Sequence, residues 1–550
     1  MLPSLLTVLS SVLIVLSFPP WGFYPLIWIA LIPWLFALRK TKSVKEAFFQ
    51  GLWLSILMSV FGFYWVGYVL HQFAELPWWL AIIGLFGYSL IGQPQFYLFA
   101  PLFRWLQNGS FNSGTPPAIP NAIPSIRRTL IFSFTLALLY TGIDWIIPKL
   151  FVDTLGHCFW NDERIRQAAD LGGAALLTAI VYWVNDALAK VIEARKNLRE
   201  TRKTWGPHLA IGVALVLFLL IYGQFRRAQI QAIVASSTRH TQIGVIQANI
   251  GDFDKVASES GVRGASVRVL KKFFDMSDEA LKGSPRPDAL VWPETSYPST
   301  FRTPGNFDEL QRDHEVEAYV HDRNVSLLFG GYDRKDQKDY NAFFFLSPDR
   351  HQLSNGGDGD VQIYRKNILL LFGEYIPLSE TFTFLKTAFP QVGNFGRGVG
   401  PEVLDVFPQD KSQPPVKVGP IICYEALFPN YILTAARKGS EMILNITNDS
   451  WFGPYGEPIL HFSLITFRSI EARLPQLRAT NTGISALILP DGTVSAQTGI
   501  DKEEIMSANV PLTAPIWTLM KAWGDWFGPF SLVTSLVLIL WLYWRGPRSV

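Results

Sequence analysis

Eight long apolar stretches constrain the fold of this chain more than any other feature of its sequence. They run approximately over residues 3–18, 24–38, 52–70, 78–103, 130–147, 171–188, 209–223 and 527–544. A helix needs roughly 20 mostly apolar residues to span a bilayer, where no water is available to satisfy the backbone. We therefore predict a polytopic α-helical membrane domain with eight transmembrane helices. The first stretch lacks the basic segment and the A-x-A-like site of a cleaved signal peptide, which favours a retained helix.

The overall composition agrees with a membrane protein. Of the 550 residues, 49% are hydrophobic and only 17% are charged, a more apolar balance than that of a soluble enzyme. The net charge of +3 is small and the basic residues are scattered over loops, so nucleic acid is not an expected partner. The two cysteines, Cys158 and Cys423, are too few for a disulfide framework or a thiolate zinc site, although one disulfide between them remains open.

Lysine and arginine residues are concentrated in alternate loops between the apolar stretches. These loops contain Arg39, Lys40, Lys42, Lys45, Arg104, Arg127, Arg128, Lys190, Arg195, Lys196, Arg199, Arg202 and Lys203, and the tail contains Arg545 and Arg548. Because basic loops stay on the cytoplasmic side, we predict a cytoplasmic N-terminus and an external middle segment. The predicted organisation is a seven-helix transmembrane domain over 1–225, an extracytoplasmic domain over 226–526, and a transmembrane helix with a cytoplasmic tail over 527–550.

The middle segment alternates between strand-like and helix-like patterns. Predicted strands are 241–250, 289–292, 326–331, 342–346, 416–422, 442–446 and 485–489, and predicted helices are 262–281, 306–323 and 458–474. Such alternation is typical of an α/β domain, and the segment is long enough to bury a core of its own.

A cysteine stands where one of these predicted strands passes into a helix. The apolar run over 416–422 ends at Cys423, and a helix-like segment begins a few residues later. Backbone N–H groups at the start of a helix favour a thiolate and can hold an oxyanion, and Glu425 supplies a carboxylate nearby. Cys423 is therefore a candidate nucleophile. A buried structural cysteine is the alternative, because free cysteine packs as a small hydrophobe.

Two further polar residues follow strand-like segments. Glu294 follows the apolar run over 289–292, and Lys366 follows Ile363-Tyr364-Arg365. A carboxylate, an ammonium group and a thiol at strand ends could meet at one edge of a sheet. The carboxylate could then take the thiol proton, and the ammonium group could stabilise both the thiolate and an oxyanion. An ordinary salt bridge between Glu294 and Lys366 at the rim of the sheet remains the alternative.

An ordered set of motifs resembles the nitrilase superfamily of Glu-Lys-Cys enzymes. The set comprises Val291-Trp292-Pro293-Glu294, Tyr364-Arg365-Lys366, Phe372-Gly373-Glu374-Tyr375-Ile376-Pro377 and Cys423-Tyr424-Glu425, with further matches at Gln247-Ala248-Asn249-Ile250, Asn448-Asp449-Ser450-Trp451-Phe452-Gly453, His461 and Arg478-Ala479-Thr480-Asn481-Thr482-Gly483. With the flanking apolar helices, nearly the whole chain is similar to the membrane-bound branch of that superfamily, the apolipoprotein N-acyltransferases.

This resemblance implies a fold, a location and a reaction. The fold would be a four-layer αββα sandwich on the periplasmic face of the bacterial inner membrane. Glu294 would be the general base, Lys366 the oxyanion partner and Cys423 the nucleophile, with Glu374 supporting the lysine and with Tyr424 and Glu425 beside the nucleophile. In a ping-pong reaction, the cysteine would take an acyl chain from a phospholipid as a thioester and pass it to the N-terminal amine of a diacylglyceryl-cysteine apolipoprotein. The resemblance implies no metal and no dissociable cofactor, and we expect a monomer.

Two other functions remain open on the sequence. The first is a membrane-tethered amidase of the same superfamily, in which water rather than an amine resolves the thioester. The second is a non-enzymatic lipid transporter or scaffold with a degenerate outer domain, which would pair ionisable residues across several membrane helices.

Some residues outside the proposed triad have two interpretations. Trp451-Phe452 is either a substrate loop that acts as a lid or a part of the core. His461 opens a predicted helix, where capping or packing is favoured over catalysis. Asp144, Asn185 and Asp186 lie within or beside apolar stretches, where polar groups are costly, and we expect them to pair helices or dock the outer domain.

Overall fold

A computed structural model describes residues 2–72, 76–108, 126–251, 263–354, 356–379, 381–384, 393–454 and 456–544. The chain divides into two compact units, Met1–Ala228 together with Asp525–Val550, and Gln229–Gly524. We call them the membrane unit and the α/β unit. The basic tail predicted after residue 544 lies outside the described residues.

The described α-helices are numbered here in chain order. They are α1 (Leu2–Ser17), α2 (Ile27–Ala30), α3 (Ile32–Arg39), α4 (Val44–Gly62), α5 (Trp65–Gln72), α6 (Trp78–Gly92), α7 (Gln95–Asn108), α8 (Ile126–Ile146), α9 (Ala169–Glu193), α10 (Arg202–Ala235), α11 (Arg263–Ala280), α12 (Phe307–Arg323), α13 (Pro429–Arg437), α14 (Gly456–Ala472), α15 (Leu519–Trp523) and α16 (Phe527–Trp544).

The membrane unit is built from apolar helices. Among the described residues, five helices are long and apolar enough to cross a membrane: Val44–Gly62, Ile126–Ile146, Ile165–Lys196, Arg202–Ala235 and Phe527–Trp544. Shorter apolar helices cover Pro3–Ser17, Tyr24–Arg39 and Trp78–Gly92. The helical membrane domain is therefore confirmed, whereas the number of eight crossings stays a prediction.

Several of the predicted continuous helices are interrupted. The stretch over 78–103 forms α6 and α7, which are separated at Gln93 and Pro94, and the stretch over 52–70 is divided between α4 and α5. The stretch over 24–38 continues through the helical residue Leu31 from α2 into α3, and Pro33 lies in the first turn of α3. Proline lacks the N–H of a helix interior and clashes with the preceding turn, so it begins a helix more readily than it continues one.

Polar side chains of the membrane unit join its helices. Asp186 in α9 forms an ion pair with Arg39 at the end of α3, with an N–O distance of 2.9 Å. Asn185 in α9 accepts a hydrogen bond of 2.8 Å from the backbone between α2 and α3. Asp144 in α8 pairs with Lys149 at 2.8 Å. The expected pairing of helices is therefore observed for Asn185 and Asp186, and each charge is compensated where water is scarce.

The α/β unit contains two sheets. The described strands are β1 (Arg239–Gln247), β2 (Ala289–Val291), β3 (Ser326–Lys335), β4 (Lys338–Gln352), β5 (Asp358–Arg365), β6 (Leu404–Val406), β7 (Val416–Ile422), β8 (Met442–Thr447), β9 (Gln476–Thr480), β10 (Ala486–Ile488), β11 (Val494–Gln497) and β12 (Glu504–Leu512). The order is β12-β1-β2-β3-β4-β5 in one sheet and β11-β10-β9-β8-β7-β6 in the other. In each sheet three parallel strands, β1 to β3 and β7 to β9, are flanked by antiparallel ones.

The two sheets face each other, and helices cover them. Gln362 of β5 exchanges two hydrogen bonds, of 2.8 and 3.0 Å, with the backbone of Asp405 in β6. Helices α11 and α12 pack on the first sheet in a core that includes the fully buried Trp292. Helix α13 packs on β7, and α14 packs on α13. The predicted αββα sandwich is therefore confirmed, with the carboxyl ends of its parallel strands available for a site.

Candidate active site

Glu294 leaves the first sheet just after β2. The Trp292 N–H donates a hydrogen bond of 2.8 Å to the Leu328 carbonyl, and the Gly330 N–H donates one of 3.2 Å to the Pro293 carbonyl. A Cβ at Gly330 would lie 2.6 Å from the Glu294 Cα atom, so β3 can pass this close only with a glycine. The backbone just before the buried Glu294 is thereby held against β3.

Lys366 follows β5, and its ammonium group lies between two carboxylates. The Nζ atom is 3.2 Å from Oε1 of Glu294 and 2.8 Å from Oε1 of Glu374. Burial lowers the pKa of Lys366, but the charges of Glu294 and Glu374 outweigh burial and raise the pKa well above its ordinary value. The lysine is therefore a permanent positive charge, although it is only 1% exposed.

Asn341 joins the two glutamates and is missing from the predicted site. Its Nδ2 group donates hydrogen bonds of 2.7 Å to Glu294 Oε1 and 2.8 Å to Glu374 Oε1. Its backbone carbonyl accepts a 2.8 Å hydrogen bond from the Lys366 N–H. In the sequence, the available signal is a polar residue directly before the apolar run over 342–346, a position that ordinarily indicates only the end of a strand.

Cys423 occupies a sharp elbow between strand and helix. Strand β7 ends at Ile422, a 3₁₀ helix covers Cys423–Leu427, and α13 begins at Pro429. The φ angle of Cys423 is +51°, in the left-handed region that costs a non-glycine residue roughly 1–2 kcal/mol. Strain of this kind persists only where the surrounding structure imposes it, and it is concentrated at functional sites.

Charged and polar groups from other segments act on the Cys423 thiol. Burial raises the pKa of Cys423, and the negative charge of Glu294 raises it further. The positive charge of Lys366 lowers this pKa, Asp449 raises it, and a hydrogen bond with the Thr447 side chain lowers it. The net pKa lies above the ordinary thiol value, so the resting thiol is protonated at neutral pH and needs a base in order to attack.

Glu425 anchors the elbow instead of reaching outward as a free carboxylate. It is fully buried and accepts four hydrogen bonds. The donors are the backbone N–H groups of Ile422 at 2.9 Å, Asn367 at 2.7 Å and Ile368 at 3.1 Å, and the Tyr364 hydroxyl at 2.6 Å. One side chain thus ties the turn that carries the cysteine to the segment that carries the lysine.

The aromatic residues of the predicted site are partly enclosed. Tyr424 is buried and packs edge-on against Phe428, with ring centroids 5.1 Å apart. In the 3₁₀ helix Ser450–Phe452, Phe452 is buried and Trp451 is half-buried. The assignment of Trp451 and Phe452 to a substrate loop stays a prediction.

A second buried ionic cluster adjoins Glu294. The Asn448 N–H donates a 3.0 Å hydrogen bond to Glu294 Oε2, and the next residue, Asp449, accepts a 2.7 Å hydrogen bond from Arg478. His461, inside α14, has Nδ1 3.6 Å from Oδ1 of Asp449. Burial and the charge of Arg478 lower the pKa of His461 below its ordinary value. A neutral packed histidine is consistent with the predicted packing role.

The other cysteine, Cys158, lies in the membrane unit and is fully buried. Both cysteines are free thiols, so a disulfide between them does not form in this structure. Within the described ranges, no group of three or more histidine, cysteine, aspartate and glutamate side chains is arranged to hold a metal ion.

A two-sheet α/β unit with a carboxylate, a lysine and an elbow cysteine at its strand ends has the architecture of a carbon-nitrogen hydrolase. The Carbon-nitrogen hydrolase family model matches residues 243–514, and the model of the Apolipoprotein N-acyltransferase N-terminal domain matches residues 10–187.

Curated relatives match the chain over nearly its whole length. The apolipoprotein N-acyltransferase of Bdellovibrio bacteriovorus is 32% identical, with 94% of this chain and 90% of the relative covered. Those of Geobacter metallireducens and Chlorobaculum tepidum are 27% and 25% identical, with 92% and 94% of this chain and 89% and 92% of the relatives covered. The chain belongs to the apolipoprotein N-acyltransferase family.

Family membership decides between the functions that the sequence left open. It supports an N-acyltransferase in a membrane setting over the membrane-tethered amidase and over the non-enzymatic transporter or scaffold. It does not by itself assign roles to individual residues, which depend on the geometry of the site.

Proposed function

We propose that the chain moves an acyl group from a phospholipid to the N-terminal amine of a diacylglyceryl-cysteine apolipoprotein, through a thioester on Cys423. The observation that carries the proposal is the position of the Lys366 ammonium group, 3.2 Å from Glu294 and 2.8 Å from Glu374. The positive charge of Lys366 also lowers the pKa of the Cys423 thiol at the elbow. A thiol, a base and a fixed positive charge are the groups that acyl transfer needs.

In the first half-reaction, Glu294 takes the proton of the Cys423 thiol as the sulfur attacks the ester carbonyl carbon. The carbonyl oxygen becomes negative, and Lys366 stabilises this charge. When the tetrahedral intermediate collapses, the ester C–O bond breaks, the leaving alkoxide takes the proton back from Glu294, and a lysophospholipid departs. A protonated resting thiol suits this order, because deprotonation accompanies the attack.

In the second half-reaction, the uncharged amine attacks the thioester carbonyl carbon. Glu294 takes a proton from the attacking nitrogen, the C–S bond breaks, and the thiolate leaves and regains a proton from Glu294. The amide product is released, and the enzyme returns to its starting state. Glu374 and Asn341 keep Lys366 and Glu294 in place during both halves, since each contacts one or both of them at 2.7 to 2.8 Å.

The location we propose is the bacterial inner membrane, with the α/β unit on the periplasmic side. The alternation of basic loops supports this orientation, because the segment after the seventh apolar stretch falls on the side poor in lysine and arginine. Both substrates carry acyl chains, so both would approach from the bilayer.

The decisive experiment traps the acyl-enzyme. Purified full-length protein receives a phospholipid with a labelled acyl chain, and intact mass and hydroxylamine-sensitive label are recorded for the wild type, Cys423→Ala and Cys158→Ala. We expect label on the wild type and on Cys158→Ala and none on Cys423→Ala. A folded wild type that takes no label, or a Cys423→Ala variant that keeps it, would overturn the proposal.

A further inference from the structure

Thr447 lies at the same level of the second sheet as the cysteine. Strands β7 and β8 are parallel, and their register pairs Ile422 with Ile446. Cys423 directly follows the end of β7, and Thr447 is the last residue of β8, so the two residues are neighbours at the carboxyl edge of adjacent parallel strands. Thr447 is fully buried there.

The single hydrogen of the Thr447 hydroxyl has two possible acceptors, the Asp449 carboxylate and the Cys423 sulfur. It donates a 3.1 Å hydrogen bond to Oδ1 of Asp449. The same side chain also acts on the neighbouring Cys423 thiol and lowers the pKa of Cys423. A hydroxyl carries one hydrogen and two acceptor lone pairs, so it cannot donate to a carboxylate and to a sulfur at the same time.

Asp449 does not depend on this hydroxyl for its own compensation. Its Oδ2 atom accepts a 2.7 Å hydrogen bond from Arg478, and Arg478 is itself held at 3.0 Å by Oδ1 of Asn445. Burial raises the pKa of Asp449, but Arg478 and His461 together outweigh burial and lower this pKa below its ordinary value. The carboxylate therefore remains paired when the hydroxyl turns away from it.

We propose that the Thr447 hydroxyl turns between Asp449 and Cys423, and donates to the sulfur whenever the sulfur carries negative charge. With the neutral thiol, the hydroxyl donates to Asp449 and can accept from S–H. As Glu294 removes the thiol proton, the S–H bond breaks and the proton binds the carboxylate, while the Thr447 hydroxyl rotates toward the thiolate with its own O–H bond intact. This inference rests on the proposed nucleophilic role of Cys423.

The hydroxyl acts beside three charged groups that also face the sulfur. Glu294 and Asp449 disfavour the thiolate, and Lys366 favours it. In the proposed reaction, Lys366 also stabilises the carbonyl oxyanion. The Thr447 hydroxyl, as a second donor, would hydrogen-bond the sulfur while the ammonium group binds the oxyanion. The same donor would stabilise the thiolate as the leaving group in the second half-reaction.

The test compares Thr447→Val, which has the same shape and no hydroxyl, with Thr447→Ser, which keeps the hydroxyl. Both are made in full-length Cys158→Ala protein, so that iodoacetamide can modify only Cys423, and rates are measured from pH 6 to pH 10. We expect Thr447→Val to slow alkylation about tenfold at pH 8, which equals a rise of one pKa unit, and Thr447→Ser to stay within about twofold of its parent.

Acyl-thioester formation should likewise be slower in Thr447→Val than in Thr447→Ser and the parent protein, while the KM for the phospholipid stays unchanged. Equal alkylation profiles for Thr447→Val and its parent, or equally slow alkylation for Thr447→Ser, would overturn the inference. Thermal unfolding is recorded for each variant, and Thr447→Ala replaces Thr447→Val if the valine variant does not fold. Alkylation needs no phospholipid, so the two experiments fail separately. Absence of acyl label on the wild type would overturn the proposed function, whereas the alkylation profiles test the role of Thr447.

Discussion

The two cysteines of the chain are both buried, yet their surroundings differ in kind. Cys158 lies in a 3₁₀ helix of the membrane unit, Leu155–Asn161, and burial raises the pKa of its thiol well above the ordinary value. Cys423 is also buried, but its pKa responds to Glu294 and Lys366 as well as to burial. Burial therefore does not distinguish a nucleophile from a structural thiol, whereas charged groups supplied by other strands do.

The largest expected effect comes from Glu294→Gln, which removes the charge of the proposed base without changing its shape. Acyl-thioester formation should fall roughly 10²–10⁴-fold, the usual contribution of a positioned base. Alkylation of Cys423 by iodoacetamide should instead become faster, because the charge of Glu294 raises the pKa of the thiol. Both rates are measured on Cys158→Ala protein.

The matched control for that substitution is Glu279→Gln. Glu279 pairs with Lys282 at 2.7 Å, and both side chains are exposed. Neither rate should change in this control. If Glu294→Gln slowed alkylation as well as acylation, Glu294 would be a structural ion-pair partner and not the base.

The next effect concerns pH. Because the pKa of Cys423 is raised, the thiol stays protonated through neutral pH, and its alkylation should accelerate about tenfold per pH unit from pH 7 to pH 9. The measurement uses Cys158→Ala, which leaves Cys423, and Cys423→Ala, which leaves Cys158. The fully buried Cys158 should react only after unfolding. A plateau for Cys423 below a pH of about 8.5 would contradict its raised pKa.

The smallest effect is expected from Glu425→Gln, which tests the hydrogen bonds that anchor the elbow at Cys423. The amide group of the glutamine would face the donors that now bind the carboxylate, and leaving such a buried donor unpaired costs about 1–3 kcal/mol. Thermal unfolding should shift to a lower temperature, and thioester formation should slow several-fold because the elbow loses its anchor. An unfolding temperature equal to that of Glu279→Gln would show that the four hydrogen bonds do not hold the elbow.

The central strands were predictable because they are buried on both faces. Strand β7 has the predicted bounds, and β8 extends the predicted strand by one residue, to Thr447. Strand β5 is not among the predicted strands, although Lys366 follows a short strand-like segment, because β5 runs from exposed and half-exposed residues to alternately buried ones. Strands β6, β9, β11 and β12 are not predicted either, and β12 pairs with β1, which lies more than 200 residues earlier in the chain.

Within the site, sequence alone was sufficient for residues with distinctive chemistry. Glu294, Lys366 and Cys423 stand out because a charge or a thiol follows an apolar run. Asn341, inside β4, and Thr447, at the end of β8, do not stand out, since an amide or a hydroxyl in a strand is common and is neither charged nor strongly nucleophilic. Their importance depends on which side chains the strand register brings beside them.

The sequence by itself determined the class of this protein: apolar helices, an α/β domain, and three chemically distinctive residues at strand ends. Hydrophobic length and periodicity are local properties of the chain, so they can be read without coordinates. Only the tertiary structure decided that Lys366 lies between Glu294 and Glu374, and that Glu425 ties the elbow to the lysine segment. Those facts depend on contacts between residues far apart in the chain, which local patterns do not specify.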